Sequence, residues 1–319
     1  MRYRLAVAVV CSFGVAACDD DTTVTPPPPD LAVQADLSTP PSPLLARFAV
    51  IGDFGVDTLD EVAIAKLVKG WRPDYIVTVG DNNYPNGETA TIDLNIGQYF
   101  HDYIGGYNGT YGAGSGATNR FWPSLGNHDW YSTSGAAPYL AYFPSLPGNR
   151  RYYDVAIGPV HFFSIDSDAH EPDGIDATSV QALWLKDRLA ASTECFNVVY
   201  FHHPAYSSGD PQFTEPRMRW PFAAWGADVV LMGHQHQYER LVVDKLTYVV
   251  DGLGGALNRF DFATTQPGSM VRYKDDFGAL YAEVYDGKML FSFRNSRDVP
   301  IDGFELTRDC SAAHVDGGI

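Results

Sequence analysis

The sequence is poor in basic residues and in charged residues of either sign. Its 319 residues include 22 Lys and Arg against 39 Asp and Glu, which gives a formal net charge of −17 at pH 7. Nucleic-acid binders present a basic face to the phosphate backbone, so this balance argues against a nucleic-acid partner. Charged residues make up only 19% and hydrophobic residues 45%, which excludes a mainly disordered chain. The length suits one large α/β or sandwich domain.

The sequence also lacks an apolar run of the ~20 residues that a bilayer-spanning helix needs. Residues 1–17 instead carry two arginines followed by a short apolar run, the pattern of a secretory signal peptide. The stretch from Val15 to Cys18 resembles the bacterial lipoprotein processing box. That resemblance implies cleavage before Cys18, a lipid anchor on its thiol, and a location at the bacterial cell envelope on the periplasmic or cell-surface side. An ordinary cleaved signal peptide is the alternative.

Basic residues are absent from Asp19 to Ala46, a stretch rich in proline and acidic residues. Proline-rich polar sequence favours extended conformers and cannot build a core. We therefore predict an acidic tether over residues 18–46 and a folded domain over residues 47–319.

Cysteine is scarce, with four in the whole chain. Cys11 would leave with the signal peptide and Cys18 would carry the lipid. Cys195 and Cys310 remain, and in an exported protein they could form one disulfide. Two unpaired cysteines are the alternative.

Short apolar runs that end in polar residues predict buried strands. They are Arg47–Ile51, Tyr75–Val79, Val160–Ile165, Asn197–Phe201, Asp228–Met232 and Thr247–Val250. Helical spacing predicts helices over Leu59–Val68 and Arg217–Trp225. A capping box at Thr178–Gln181 predicts another helix, which carries Val180, Leu183, Trp184 and Leu189. Ala279–Tyr285 and Lys288–Phe293 predict a hairpin. This alternation indicates an α/β domain with mixed sheets.

Five short polar motifs follow predicted strands or lie near them, and open α/β sheets place their sites at strand ends. They are Asp53-Phe54-Gly55, Gly80 to Tyr84, Gly126 to Asp129, Val199 to His202 and Gly233 to His236. Five of the nine histidines lie in or beside these motifs. Carboxylate, imidazole and amide donors suit iron, manganese or zinc. Two such ions about 3.5–4 Å apart can stabilise both oxygens of a phosphoryl displacement.

Together and in this order, the motifs resemble those of the calcineurin-like metallophosphoesterases, and among these the purple acid phosphatases. The resemblance covers residues 47–254 and is strongest to the small, tartrate-resistant type, because no large β-domain precedes Asp53. The stretch from Gly233 to Arg240 instead resembles the longer plant and fungal type. The resemblance implies a four-layer αββα sandwich, in which two mixed β-sheets are flanked by helices.

The resemblance also implies a ligand set for two metal ions. Asp53, Tyr84 and His236 would hold Fe(III), Asn127, His202 and His234 would hold a divalent ion (Fe, Zn or Mn), and Asp81 would bridge both. Most members of the superfamily have a histidine where this chain has Gly55, and Tyr84 replaces that ligand. The two ions carry more positive charge than the three anionic ligands neutralise. A filled site would therefore attract a small phosphate ester despite the negative net charge.

Two histidines are candidate catalytic residues. The resemblance places His128 over the transferred phosphoryl group, where it could stabilise charge or protonate the leaving alkoxide. His203 directly follows a predicted ligand and is the other candidate acid, with a structural role as its alternative.

The expected function is a binuclear-metal acid phosphatase that hydrolyses small phosphomonoesters by attack of a metal-bound hydroxide. A phosphodiesterase of the same superfamily is the first alternative, and a catalytically silent, surface-binding lipoprotein is the second.

Overall fold

The computed structural model describes residues 43–256 and 258–310. The predicted signal peptide, the predicted anchor residue Cys18 and nearly all of the predicted tether lie outside this range. Among the described residues, no helix is both long enough and apolar enough to cross a bilayer.

The described strands form two mixed β-sheets. In chain order they are β1 (Leu44–Ile51), β2 (Tyr75–Thr78), β3 (Phe121–Pro123), β4 (Tyr153–Ile157), β5 (Val160–Ser164), β6 (Phe196–Tyr200), β7 (Val229–Met232), β8 (Tyr238–Val243), β9 (Leu246–Asp251), β10 (Ser269–Tyr273), β11 (Gly278–Tyr285), β12 (Lys288–Asn295) and β13 (Pro300–Thr307). The first sheet has the order β13-β12-β11-β1-β2-β3, and the second has the order β10-β8-β9-β7-β6-β5-β4. Parallel pairs lie at β1-β2-β3 and at β5-β6-β7-β9, and the other pairs are antiparallel.

Helices flank the sheets. They are α1 (Leu59–Gly70), α2 (Thr89–Ile92), α3 (Gln98–Phe100), α4 (Asn127–Trp130), α5 (Ala137–Tyr142), α6 (Val180–Ala190) and α7 (Phe222–Trp225), with a π-helical turn at Asp93–Gly97 and 3-10 turns at His101–Tyr103, Pro211–Phe213 and Pro216–Met218. α1 begins where the Thr58 side chain accepts a hydrogen bond from the Glu61 amide.

Two clusters of buried side chains hold these layers together. The larger one lies between the sheets, where Phe48 of β1 meets Phe162 of β5 edge-on with ring centroids 5.2 Å apart. The neighbouring Phe163 points to the opposite face of its sheet, because side chains alternate along a strand. There it joins a second cluster with residues of α6 and α7, such as Leu185 and Phe222. The predicted four-layer αββα arrangement is confirmed.

The predicted strands, the helix α1 and the hairpin β11–β12 are present, with small shifts at their ends. β1 begins at Leu44, three residues before the predicted strand, and so takes in the last residues of the predicted tether. Gly287, in the two-residue turn of the hairpin, has a φ of 66°, a conformation that glycine adopts without strain. The glycine-rich residues 105–116 contain no helix or strand, as expected for a loop.

Only some of the apolar residues named for α6 reach the core, where Leu189 is 3% exposed and Trp184 packs against the second cluster. Val180 and Leu183 are 62% and 52% exposed. Ser179, not Thr178, caps the helix by accepting a hydrogen bond from the Ala182 amide. Gln181 is fully buried because its side chain donates to the carbonyl oxygens of two residues in the preceding loop. The buried amide thus takes a core-facing position on the helix, on the same side as Ala182 and Leu185.

The predicted helix at Arg217–Trp225 is broken into two pieces. A 3-10 turn covers Pro216–Met218, and α7 begins only at Phe222. Pro221 lacks an N–H group and disfavours helical backbone at the residue before it, so the helix cannot run through.

Cys195 and Cys310 form a disulfide with Cα atoms 5.2 Å apart, which decides between the two alternatives left by the sequence. Cys195 directly precedes β6 in the second sheet, and Cys310 follows β13 at the edge of the first. The bond therefore joins the two sheets covalently.

Candidate metal centre

The seven predicted ligands converge where the carboxyl ends of the parallel strands meet. Asp53 follows β1, Asp81 follows β2, and Asn127 begins α4 just after β3. From the second sheet, His202 follows β6 and His234 follows β7. The two remaining predicted ligands, Tyr84 and His236, lie in the same loops as Asp81 and His234.

The backbone turns sharply at three of these positions. Asp53, Asp81 and His234 have φ values of 57°, 52° and 68°, in the left-handed region that few non-glycine residues adopt. Such conformations are held by the surrounding structure and are common at functional sites. Gly80 must itself be glycine, because its φ is 91° and a Cβ atom would lie 2.5 Å from the His202 ring. The turns bring these three residues to the strand ends where the other predicted ligands lie, with the His234 amide 2.9 Å from Asp53 Oδ2.

Asp53, Tyr84 and His236 form the first group. The Tyr84 hydroxyl lies 3.4 Å from Asp53 Oδ1 and 3.3 Å from His236 Nε2. His236 Nε2 lies 3.4 Å from the same Asp53 oxygen. Three donor atoms thus surround one point.

Asn127, His202 and His234 form the second group. His202 Nε2 lies 3.1 Å from Asn127 Oδ1 and 3.1 Å from His234 Nδ1. Amide oxygen and imidazole nitrogen offer lone pairs without negative charge, so this group contains no anionic ligand.

Asp81 lies between the two groups. Its Oδ2 atom is 3.0 Å from the Tyr84 hydroxyl and 3.2 Å from His202 Nε2. One carboxylate oxygen therefore contacts both groups. Asp81, His202 and His234 also offer ligand atoms that all lie within 4.8 Å of one another, close enough to share a metal ion.

Backbone carbonyls orient two of the imidazole rings. His202 Nδ1 is 2.7 Å from the Val79 carbonyl oxygen, and His236 Nδ1 is 2.5 Å from the Asn258 carbonyl oxygen. A carbonyl can only accept, so each Nδ1 carries the proton and each Nε2 presents a lone pair to the centre when the ring is neutral. This is the arrangement that metal-binding histidines adopt.

The charges at the centre favour a bound cation. Burial opposes ionisation of Asp81, but the nearby imidazoles, His202 above all, outweigh it and hold the pKa of this carboxyl far below its usual range. Burial and the carboxylates of Asp81 and Asp53 raise the pKa of Tyr84 well above that of a free phenol. Tyr84 can therefore become a phenolate only beside a strong positive charge. Hard oxygen and nitrogen donors with excess negative charge fit such an ion.

A sequence model for the calcineurin-like phosphoesterases matches residues 46–238, well over half of the chain. The chain belongs to the calcineurin-like phosphoesterase family. Membership places it among the hydrolases that act on phosphoric ester bonds.

Relatives of this phosphoesterase include named acid phosphatases. Tartrate-resistant acid phosphatase type 5 of Mus musculus is 26% identical over 257 residues, which cover 69% of this chain and 75% of that protein. Purple acid phosphatase 15 of Arabidopsis thaliana is 27% identical over 231 residues, covering 63% of this chain and 42% of that protein. Among solved structures, GAP50, the anchor in the inner membrane complex of Plasmodium, has a TM-score of 0.64 at 18% identity and covers 84% of this chain and 90% of that one. This structural likeness shows a shared fold.

Gly55 occupies the position at which most members of the superfamily have a histidine, and the structure gives the reason for glycine. A Cβ atom at this position would lie 1.7 Å from the backbone oxygen of Asn82. The amide of Tyr84 also donates to the Gly55 carbonyl over 2.7 Å. The space that a histidine would need is thus taken by the loop that carries Tyr84.

The two candidate catalytic histidines of the phosphoesterase differ in their surroundings. His128 has a partly exposed side chain, its Nε2 lies 4.0 Å from Asp81 Oδ2, and its Nδ1 lies 2.6 Å from the Pro85 carbonyl oxygen. His203 is more enclosed, and its Nδ1 lies 3.0 Å from Ser167 Oγ. Burial and the neighbouring His202 lower the pKa of His203 to about 4. His203 is therefore neutral near pH 7.

Asp129 braces the loop of Asp81. Its carboxylate accepts hydrogen bonds from the side-chain and backbone nitrogens of Asn82 and from the Gly126 amide. Burial and the charge of Asp81 raise its pKa to about 7. Its role in the structure is to hold the turn that presents Asp81.

Three contacts of the centre escaped the sequence reasoning. Ser167 donates to or accepts from the His203 ring, and it follows β5 just as the predicted ligands follow their strands. The same strand-end rule could have found it. Phe213 and Phe260 lie against His234 and His236 from loops with no periodic pattern, so no sequence signal marks them.

Proposed function

We propose that this phosphoesterase is a binuclear-metal acid phosphatase that hydrolyses phosphomonoesters. The observation that carries the proposal is the contact of one Asp81 oxygen with both ligand groups. Relatives named tartrate-resistant and purple acid phosphatase support the same reaction.

In this proposal Asp53, Tyr84 and His236 hold Fe(III), because a carboxylate and a phenolate favour a trivalent ion. Asn127 and two imidazoles hold a divalent ion, Fe, Zn or Mn, because they are neutral donors. Asp81 serves both ions.

When bound, the two ions supply positive charge for the phosphate and lower the pKa of water enough to make it a nucleophile. The protein's own side chains position and protonate the substrate. The Pro85 carbonyl holds the Nδ1–H of His128, so a protonated His128 ring directs its Nε2–H toward the centre. From there it donates to a phosphate oxygen or to the departing alkoxide.

In this proposal His203 has a structural role and does not donate a proton to the leaving group. Its pKa is about 4 through burial and His202, and two metal cations beside it would lower this pKa further. The proton donor of this proposal is therefore His128.

Metal analysis, a visible spectrum and turnover of two substrates test the function together. We expect about two metal ions per chain, a purple or pink colour, and faster hydrolysis of p-nitrophenyl phosphate than of bis-p-nitrophenyl phosphate. Preference for the diester would indicate a phosphodiesterase. A metal-loaded protein that hydrolyses neither would support a silent binding protein.

We also propose that the protein is exported and anchored by a lipid on Cys18. The processing box before Cys18 and the Cys195–Cys310 bond both support an oxidising compartment outside the cytoplasm. In an expressing bacterium, Cys18→Ser should move the protein from the membrane fraction to the soluble fraction. Unchanged fractionation would contradict the anchor.

A further inference from the structure

Two phenylalanine rings lie side by side against the histidines of the candidate metal centre. Phe260 stacks on His236 with ring centroids 4.3 Å apart and an interplanar angle of 11°. Phe213 stacks on Phe260 at 5.6 Å and 24°, and it meets His234 in a T-shaped contact at 5.5 Å. Both phenylalanines are half-buried. We call this pair the aromatic platform.

Hydrogen bonds to a buried serine and glutamate fix the position of the platform. The two rings come from separate loops, and both loops are fixed to Ser208. The Ser208 carbonyl accepts from the Ala263 amide and its hydroxyl accepts from the Gln266 amide, each over 2.8 Å. The buried carboxylate of Glu239 in turn binds the Ser208 amide, over 2.6 Å, and its hydroxyl. The fully buried Glu239 thus fixes Ser208, and Ser208 connects the two loops that carry the rings.

The platform also borders the open side of the centre. Asp53, Asp81 and His202 are at most 1% exposed, whereas His234 and His236 beside the two rings are partly exposed, the His236 side chain by 12%. The side chain of His128 is also partly exposed, so a phosphate can reach the centre across these accessible side chains. The group esterified to that phosphate then comes close to the rings.

Tyr131, an exposed ring that contacts His128 at the centre, has a different character. Tyr131 is 50% exposed, but its hydroxyl accepts from the Asn127 side chain over 2.9 Å, so its position follows that of a predicted ligand. The platform has no such polar tie. An apolar ring pair offers nothing to a charged phosphate, but it offers a stacking surface to a flat organic group.

We propose that the aromatic platform binds the leaving group of an aryl phosphate, a phosphomonoester whose ester oxygen is attached to an aromatic ring. This inference rests on the proposed phosphatase function. In the reaction, the bond between phosphorus and the aryl oxygen breaks and one water oxygen forms the new bond to phosphorus. The phenol leaves with a proton, and inorganic phosphate remains.

The test compares phenyl phosphate with glycerol phosphate in the Phe213→Ala variant. Intrinsic reactivity of the two esters cancels when each variant rate is divided by the wild-type rate for the same substrate. We expect kcat/KM to fall about tenfold more for phenyl phosphate than for glycerol phosphate, as loss of one stacked ring implies. The conservative Phe213→Tyr variant should restore the preference.

Phe262→Ala provides a matched control. Phe262 lies in the same loop as Phe260, but the guanidinium of Arg272 covers its ring, 5.8 Å from its centroid. Its removal should leave the ratio of the two substrates unchanged. Equal losses for both substrates in Phe213→Ala would show that Phe213 only braces His234, and would overturn the proposal.

Binding of phosphonates separates this inference from the phosphatase function. Calorimetry should show tighter binding of phenylphosphonate than of methylphosphonate to the wild type, and the difference should vanish in Phe213→Ala. Turnover of glycerol phosphate without this difference would overturn the platform and leave the phosphatase intact. Absence of all turnover would overturn the phosphatase, and the phosphonate comparison would still decide for or against the platform.

Discussion

Removal of the disulfide between Cys195 and Cys310 should destabilise the fold strongly and leave the metal centre intact. The bond joins residues 115 positions apart. A cross-link over a loop of this length lowers the entropy of the unfolded chain enough to contribute about 5 kcal/mol at 25 °C. For a domain of this size, such a loss corresponds to a fall in melting temperature of about 10 °C or more.

The geometry predicts that the centre is spared. Cys195 precedes β6 and His202 follows it, and the five residues of this strand, at ~3.3 Å each, separate the two by about 17 Å. Phosphatase activity and metal content should therefore match the wild type at temperatures where the fold persists.

The assay is urea unfolding, followed by circular dichroism, of the wild type and of the Cys195→Ala/Cys310→Ala double variant, each with and without a reducing agent. The reductant should lower the stability of the wild type and leave that of the variant unchanged, which separates the cross-link from the packing of the sulfur atoms. A loss below about 1 kcal/mol would refute the entropic reasoning. Loss of metal from the folded variant would refute the separation of bond and centre.

Three further predictions concern the centre itself. Tyr84→Phe removes the hydroxyl that lies 3.0 Å from Asp81, so the visible absorption band should disappear while the far-ultraviolet circular dichroism stays the same. Asp81→Asn should reduce the metal content from about two ions per chain to nearly none, whereas Asn127→Ala should retain about one, as measured by elemental analysis. Gly55→Ala should lower the unfolding free energy by about 3 kcal/mol in urea, because its Cβ atom would collide with a backbone oxygen; an unchanged midpoint would contradict the close packing at this position.

The sequence was informative where a local pattern decides the structure. Each predicted ligand except Asn127 lies in a motif that follows a predicted apolar run, and parallel strands bring such ends together, so strand and site could be predicted in one step. The pair Asp286-Gly287 likewise predicts a tight turn between two strands.

Where a distant partner decides the structure, the sequence was not informative. Gln181 is buried because the carbonyl oxygens of Asp166 and Gly174 accept from its side chain, whereas the apolar Val180 and Leu183 of the same helix are exposed. β3 is a strand of only three residues ending in Pro123, and it is recognised as a strand only by its pairing with β2. Phe213 and Phe260 meet only because Ser208 ties their loops together.

The order of strands along the chain has a consequence for how the centre is assembled. The second sheet consists of β4 to β10, a continuous stretch of the chain, whereas the first sheet combines the first three strands with the last three. β1 pairs with β11, an antiparallel partner from the far end of the domain. Pairings between strands that are so distant in sequence form slowly. The histidines of the second sheet can therefore be in place before the aspartates of the first are fixed. Metal uptake should report completion of the whole domain, and a chain that ends before β11 should bind metal poorly even though it contains every predicted ligand.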